Sequence, residues 1–211
     1  MPRAISLSPS CRRLPPLKKL EAEGWPRPAG KDCRMKLMSI EPYRGRAWLV
    51  DTPIGRVGLV ENGTALTHLV FDEKDLPAGA EMSETPLLAG AAEQLHEYFA
   101  GRRTGFDLPL APFGTDFQRR VWEALRRIPY GRTVSYRDIA EEIGSPRAFR
   151  AVGQANNRNP IAVIIPCHRV LGQGGQLTGY GGGLSVKEYL LSLEEDIVCG
   201  RLRSCPEPGD D

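Results

Sequence analysis

The chain has 211 residues, 41% of them hydrophobic and 26% charged, with a formal net charge of +2. That composition excludes a highly charged disordered polymer and leaves enough chain to bury a core in one large domain or two small ones. No apolar run approaches the roughly 18 residues needed to span a bilayer, and the basic N-terminus has no signal-peptide core, so a cytoplasmic protein is expected.

Five cysteines, Cys11, Cys33, Cys167, Cys199 and Cys205, are odd in number and lack CxxC spacing. This argues against a disulfide framework or a four-cysteine zinc site. The small net charge hides a polarity: residues 39–112 sum to about −5 and residues 113–183 to about +5. One basic half suits a modest nucleic-acid binder, although solvated faces are often lopsided.

Residues 1–40, rich in Pro, Arg and Lys, read as a disordered basic extension. From Arg46 the pattern becomes strand-like: Ala47–Val50, Val57–Val60 and Ala65–Phe71, with a hairpin turn signal at Glu61-Asn62-Gly63. These predict a small antiparallel sheet. Leu87–Phe99 has helical spacing and ends at Gly101, completing an αβ unit over residues 46–112. His68 and His96 are isolated and read as structural.

The second unit, residues 113–198, opens with Thr115 as an N-cap and Phe117, Val121, Trp122, Leu125 and Ile128 at helical spacing. Ser135 caps the next helix, Gly144-Ser145 breaks it, and Pro146–Ala155 forms another. Helix, glycine turn, helix is the pattern of a DNA-binding helix-turn-helix, and equally of an αα-hairpin that binds nothing. The second helix carries the small residues Ala148, Ala151, Gly153 and Ala155, a slim surface from which Arg150 projects.

Asn159-Pro160 turns the chain into an apolar segment, Ile161–Ile165, read as a strand ending at Pro166-Cys167-His168. A thiol beside an imidazole permits three readings: a buried inert cysteine, a metal ligand, or a nucleophile activated by a base. Adjacent residues on a strand point to opposite faces, so the last reading needs a turn or a bridging water. Gly172–Gly183 is a glycine-rich loop without the lysine of a phosphate loop. Val186–Glu194 forms the last helix, and residues 199–211 read as a loose tail.

Pro166-Cys167-His168-Arg169-Val170, with Asn159-Pro160 before it and Tyr180-Gly181-Gly182 after it, resembles the O6-alkylguanine-DNA alkyltransferases. The resemblance covers about residues 46–197. It implies an α+β fold: a small N-terminal αβ domain with an antiparallel sheet, then a mainly helical domain with the helix-turn-helix and the active-site cysteine. It implies irreversible, single-turnover transfer of an alkyl group from O6-alkylguanine in double-stranded DNA, or from O4-alkylthymine, to the protein's own cysteine.

By the same resemblance Cys167 accepts the alkyl group, His168 deprotonates it through a water, Glu194 orients the imidazole, and Tyr136 assists nucleotide rotation and bonds the guanine. Arg150 fills the gap left by the extruded base, Asn159 is the hinge asparagine, and Val170, Tyr180 and Gly181 complete the substrate-binding set. Gly181 stands where some members have serine. Asn62 and Thr67 stand where some animal members hold zinc, so no metal or cofactor is expected. The protein is expected to be monomeric. A non-catalytic recognition protein and a cysteine hydrolase using Cys167, His168 and Glu194 are the rival readings.

Overall fold

The computed structural model describes residues 45–200, so the expected basic extension over 1–40 and most of the expected tail lie outside the described residues. Three strands, β1 (Arg46–Thr52), β2 (Gly55–Glu61) and β3 (Leu66–Val70), form an antiparallel meander. A short β4 (Glu81–Met82) adds to the free edge of β1 in parallel, so the sheet is mixed, in the order β3-β2-β1-β4. β4 is two exposed residues with no apolar alternation, which is why it was not visible in the sequence.

The β2–β3 turn is held by Asn62, whose Oδ1 accepts from the backbone N–H of Thr64 and Ala65. Thr67, on β3, donates its hydroxyl to the Val60 carbonyl. His68 contacts the neighbouring Thr67 hydroxyl, and His96 contacts the Asp51 carbonyl across 45 positions.

Helix α1 (Pro86–Phe99) starts at the Thr85 N-cap and buries Leu88, Ala91, Leu95, Tyr98 and Phe99. Helices α2 (Asp116–Arg126) and α3 (Tyr136–Glu142) each begin with a complete capping box, Thr115 with Gln118 and Ser135 with Asp138. Helix α4 (Phe149–Asn157) begins three residues later than the sequence suggested, because Ser145–Ala148 close a turn first (Ala148 N–H to Ser145 carbonyl, 2.8 Å). The Trp122 indole N–H donates to the Ala155 carbonyl at 2.9 Å, locking α2 to α4. The last helix, α5 (Leu184–Val198), exceeds the predicted span at both ends.

One correction bears directly on the site. Ile161–Ile165 is not a regular strand. It makes a single bridge to β3, at Leu69–Ile161, and then turns on itself, with Val163 at φ 69°. A β-branched residue in the left-handed region costs about 1–3 kcal/mol and persists only where its surroundings impose it. Here all five residues are buried, and the turn is closed by bonds from Ile164 N–H to Ala162 and Ile165 N–H to Ile161. A buried apolar run is composed like a strand even when it bends.

After this bend, Cys167–Arg169 form one turn of 3-10 helix, followed by β6 (Val170–Leu171), which runs parallel to β5 (Val134–Ser135). The 3-10 turn supplies the change of direction that adjacent Cys and His side chains require. One hydrophobic core runs from the sheet and α1 through α2 to α5. Among the described residues no helix is long and apolar enough to cross a membrane.

Candidate active site

Cys167 is 3% exposed at the start of the 3-10 turn. Burial pushes its thiol pKa up to about 11, although the Asn159 side chain, the Lys187 ammonium and backbone N–H groups favour the thiolate. At that value only about one thiol in ten thousand is ionised at neutral pH. The resting cysteine is therefore protonated and sheltered, and reaction requires a base that acts as the thiol reacts.

His168, the next residue, is fully buried. Its Nε2 lies 2.9 Å from Glu194 Oε1, and its Nδ1 has no hydrogen-bond partner among the described residues. A carboxylate only accepts, so Nε2 carries the proton and Nδ1 presents its lone pair. Burial lowers the His168 pKa despite the neighbouring carboxylate, which keeps the ring neutral and able to accept a proton at neutral pH.

Glu194 is the hub. Its carboxylate, 1% exposed, takes the Tyr98 hydroxyl at 2.7 Å and the Gly131 N–H at 2.9 Å besides His168. Arg169 donates Nε and Nη2 to the same group, and its Nη1 donates to the Ile128 carbonyl at 2.7 Å. Burial disfavours the charged form, but His168 and Arg169 more than offset it and hold the carboxyl well below the usual carboxylate range. Gly131 has φ 67°, and a Cβ there would come within 2.5 Å of Val198, so this donor position suits glycine.

The other predicted residues group around the thiol. Asn159 donates Nδ2 to the Ile165 carbonyl at 2.8 Å and accepts from the Ile161 N–H at 3.1 Å, pinning both ends of the bend. Tyr136, on α3, shares a hydrogen bond of 2.7 Å with the Thr178 hydroxyl. Its phenol pKa is raised, first by burial, so it remains a proton donor. Tyr180 is buried with its ring 5.6 Å from that of Phe71. A Cβ on Gly182 would meet the Phe71 ring at 2.9 Å, whereas Gly181 is exposed with room for a side chain. Val170 is fully buried. Arg150 stands apart from the thiol, exposed on α4.

Sequence reasoning missed four participants. Arg169 and Tyr98 hold Glu194, and Asn156 donates to the Cys167 carbonyl at 3.4 Å. Lys187 is the fourth. Its fully buried ammonium donates to the Val170 carbonyl at 2.6 Å and the Thr178 carbonyl at 3.2 Å, and burial lowers its pKa to about 8. A lysine with no ion pair inside apolar surroundings is a signal only a structure gives, since nothing in Val186-Lys187-Glu188 marks it.

The described residues include no group of three or more His, Cys, Asp or Glu side chains arranged to hold a metal ion. What the geometry assembles is a protected thiol, a neutral imidazole fixed in one tautomer, and a charged carboxylate behind it, beside a helix-turn-helix.

Comparisons with known proteins agree with that arrangement. Residues 46–112 match the ribonuclease-like domain of 6-O-methylguanine DNA methyltransferase, and residues 116–196 match its DNA-binding domain. A methylated-DNA–protein-cysteine methyltransferase from Methanosarcina barkeri is 54% identical over 151 residues, spanning 70% of this chain and 96% of the relative. The chain belongs to the methylated-DNA–protein-cysteine methyltransferase family. The constitutive Bacillus subtilis member is 48% identical over 151 residues, covering 68% of this chain and 92% of its own. Among solved structures, Mycobacterium tuberculosis OGT in complex with DNA is 49% identical, covers 72% of this chain and 94% of its own, and superposes with a TM-score of 0.68.

A methyltransferase of this family repairs DNA by direct reversal, moving the alkyl group to a cysteine of the protein itself. DNA is its partner. The α+β architecture expected from the sequence is the one observed, with the sheet mixed instead of purely antiparallel.

Proposed function

We propose that Cys167 is the acceptor and O6-alkylguanine in double-stranded DNA the substrate, each protein molecule acting once. The observation that carries this reading is the buried Cys167 beside His168, whose only unengaged ring nitrogen is the basic Nδ1. The alkylated oxygen lies inside the duplex, so the nucleotide is flipped out, at about a few kcal/mol, with Arg150 filling the gap. Tyr136, Asn159, Val170, Tyr180 and Gly181 receive the base.

The thiol proton passes through a water to His168 Nδ1, and Glu194 stabilises the imidazolium. The sulfur attacks the alkyl carbon, forming the S–C bond as the C–O6 bond breaks, and the electron pair leaves with guanine. Tyr136 supplies a proton to the departing base and regains one from the site through solvent, so the proton count balances. The product is a thioether, which no group nearby can cleave.

We also assign residues 46–112 to an N-terminal domain and 113–198 to the alkyltransferase domain, and take the protein to be a cytoplasmic monomer. The test uses duplex DNA carrying radiolabelled O6-methylguanine. Wild type and Cys199→Ser should become labelled, while Cys167→Ser should bind the duplex with similar affinity and stay unlabelled. Label on Cys167→Ser defeats the assignment. Label released into solution would indicate a hydrolase, and binding without any transfer a recognition protein.

A further inference from the structure

Phe149 opens helix α4 and is the one large apolar side chain exposed on the helix-turn-helix, at 38%. Its ring is flanked by two guanidinium groups, with the Cζ atoms of Arg137 and Arg150 each 5.8 Å from the ring centroid. That lies within cation–π reach. Arg137 belongs to α3 and Arg150 to α4, so the ring joins the two helices.

What holds these two arginines also sets them apart from three others on nearby helices, though not from Arg120, which likewise lies over a ring, that of Phe117, at 6.0 Å. Arg119, Arg126 and Arg127 each pair with a carboxylate, Asp116, Glu123 and Glu142 respectively. Among the described residues Arg137 and Arg150 make no such pair; their ordering contact is the aromatic ring. A carboxylate would order an arginine while cancelling its charge. A ring orders it and leaves the charge and the hydrogen-bonding edge free for a phosphate or a base stack. Arginine has large rotamer freedom, and ordering it before DNA arrives lowers the cost of inserting it.

We propose that Phe149 is a positioning residue that holds Arg150 ordered and uncancelled for insertion into the duplex, with Arg137 fixing the ring from the neighbouring helix. This rests on the assignment of Arg150 as the residue that replaces the extruded base. Phe149 touches neither the thiol nor the base pocket, so its effect is confined to duplex substrate.

The test compares single-turnover rates on a duplex containing O6-methylguanine and on free O6-benzylguanine, which needs no extrusion. Phe149→Leu should slow the duplex reaction about fivefold, the size expected from losing an exposed cation–π contact, and leave the free-base reaction unchanged. Phe149→Tyr, which keeps the ring, should restore the duplex rate. In an Arg150→Ala background Phe149→Leu should have no further effect. An undiminished or raised duplex rate in Phe149→Leu, failure of tyrosine to rescue, equal losses on both substrates, or an additional loss in the Arg150→Ala background each overturns the proposal. If Arg150→Ala alone leaves the duplex rate unchanged, the underlying assignment of Arg150 falls too.

Discussion

Arg169 grips Glu194 through three bonds, Nε to Oε2 at 3.0 Å and to Oε1 at 3.1 Å and Nη2 to Oε1 at 2.9 Å, and both side chains are buried. The same carboxylate orients His168, so the ion pair sets the geometry of the imidazole next to the thiol. Removing one member of a buried pair leaves the other charge uncompensated, a loss of about 3–5 kcal/mol. Arg169→Met should therefore lower the unfolding free energy read from urea titration by that amount, and raise the Glu194 pKa. A loss under about 1 kcal/mol would mean the pair is solvated and unimportant.

Lys187 should matter for the thiol as well as the loop. Its charge favours the Cys167 thiolate, and its two bonds tie the strand after the active-site turn to Thr178, the partner of Tyr136. Lys187→Met keeps most of the stem volume and removes the charge. At pH 7, where Lys187 still carries its charge, iodoacetamide should label Cys167 more slowly in the variant than in the wild type. An unchanged rate would make Lys187 a purely mechanical tie.

Acid should destabilise the protein in two stages. The His168 pKa is lower in the fold than the ordinary imidazole value of about 6.5, so the unfolded chain takes up this proton first and stability declines as pH falls below about 6.5. The Glu194 pKa is lower still than its ordinary value of about 4.3, which adds a second decline below that pH. Thermal midpoints between pH 8 and 3 report both stages. His68, whose pKa burial lowers in the same direction, contributes to the upper stage as well, so His168→Gln should shrink it and His68→Gln with His168→Gln should remove it; an undiminished upper stage in His168→Gln would assign it elsewhere.

Much of this was legible in the chain because it is local. Thr115 and Ser135 cap their helices through bonds spanning three residues, which a sequence displays directly. The grouping of Asn159, Cys167 and His168 is likewise compressed into ten residues. What escaped depends on distance or on backbone strain. Tyr98 reaches Glu194 across 96 positions, Lys187 reaches the Val170 carbonyl across 17, and the bend at Val163 contradicts its β-branched side chain. Arg169 lay inside the most informative string of the sequence, yet its task is set by Glu194, which a different helix carries.

The most direct test of the central claim, that Cys167 takes up one alkyl group and keeps it, is the intact mass of the protein after incubation with excess duplex containing O6-methylguanine. The expected mass is that of the protein plus one methyl group, mapped to Cys167, with demethylation of the DNA stopping at one equivalent. Demethylation beyond one equivalent, or a methyl group mapped to another cysteine such as Cys199, would contradict it.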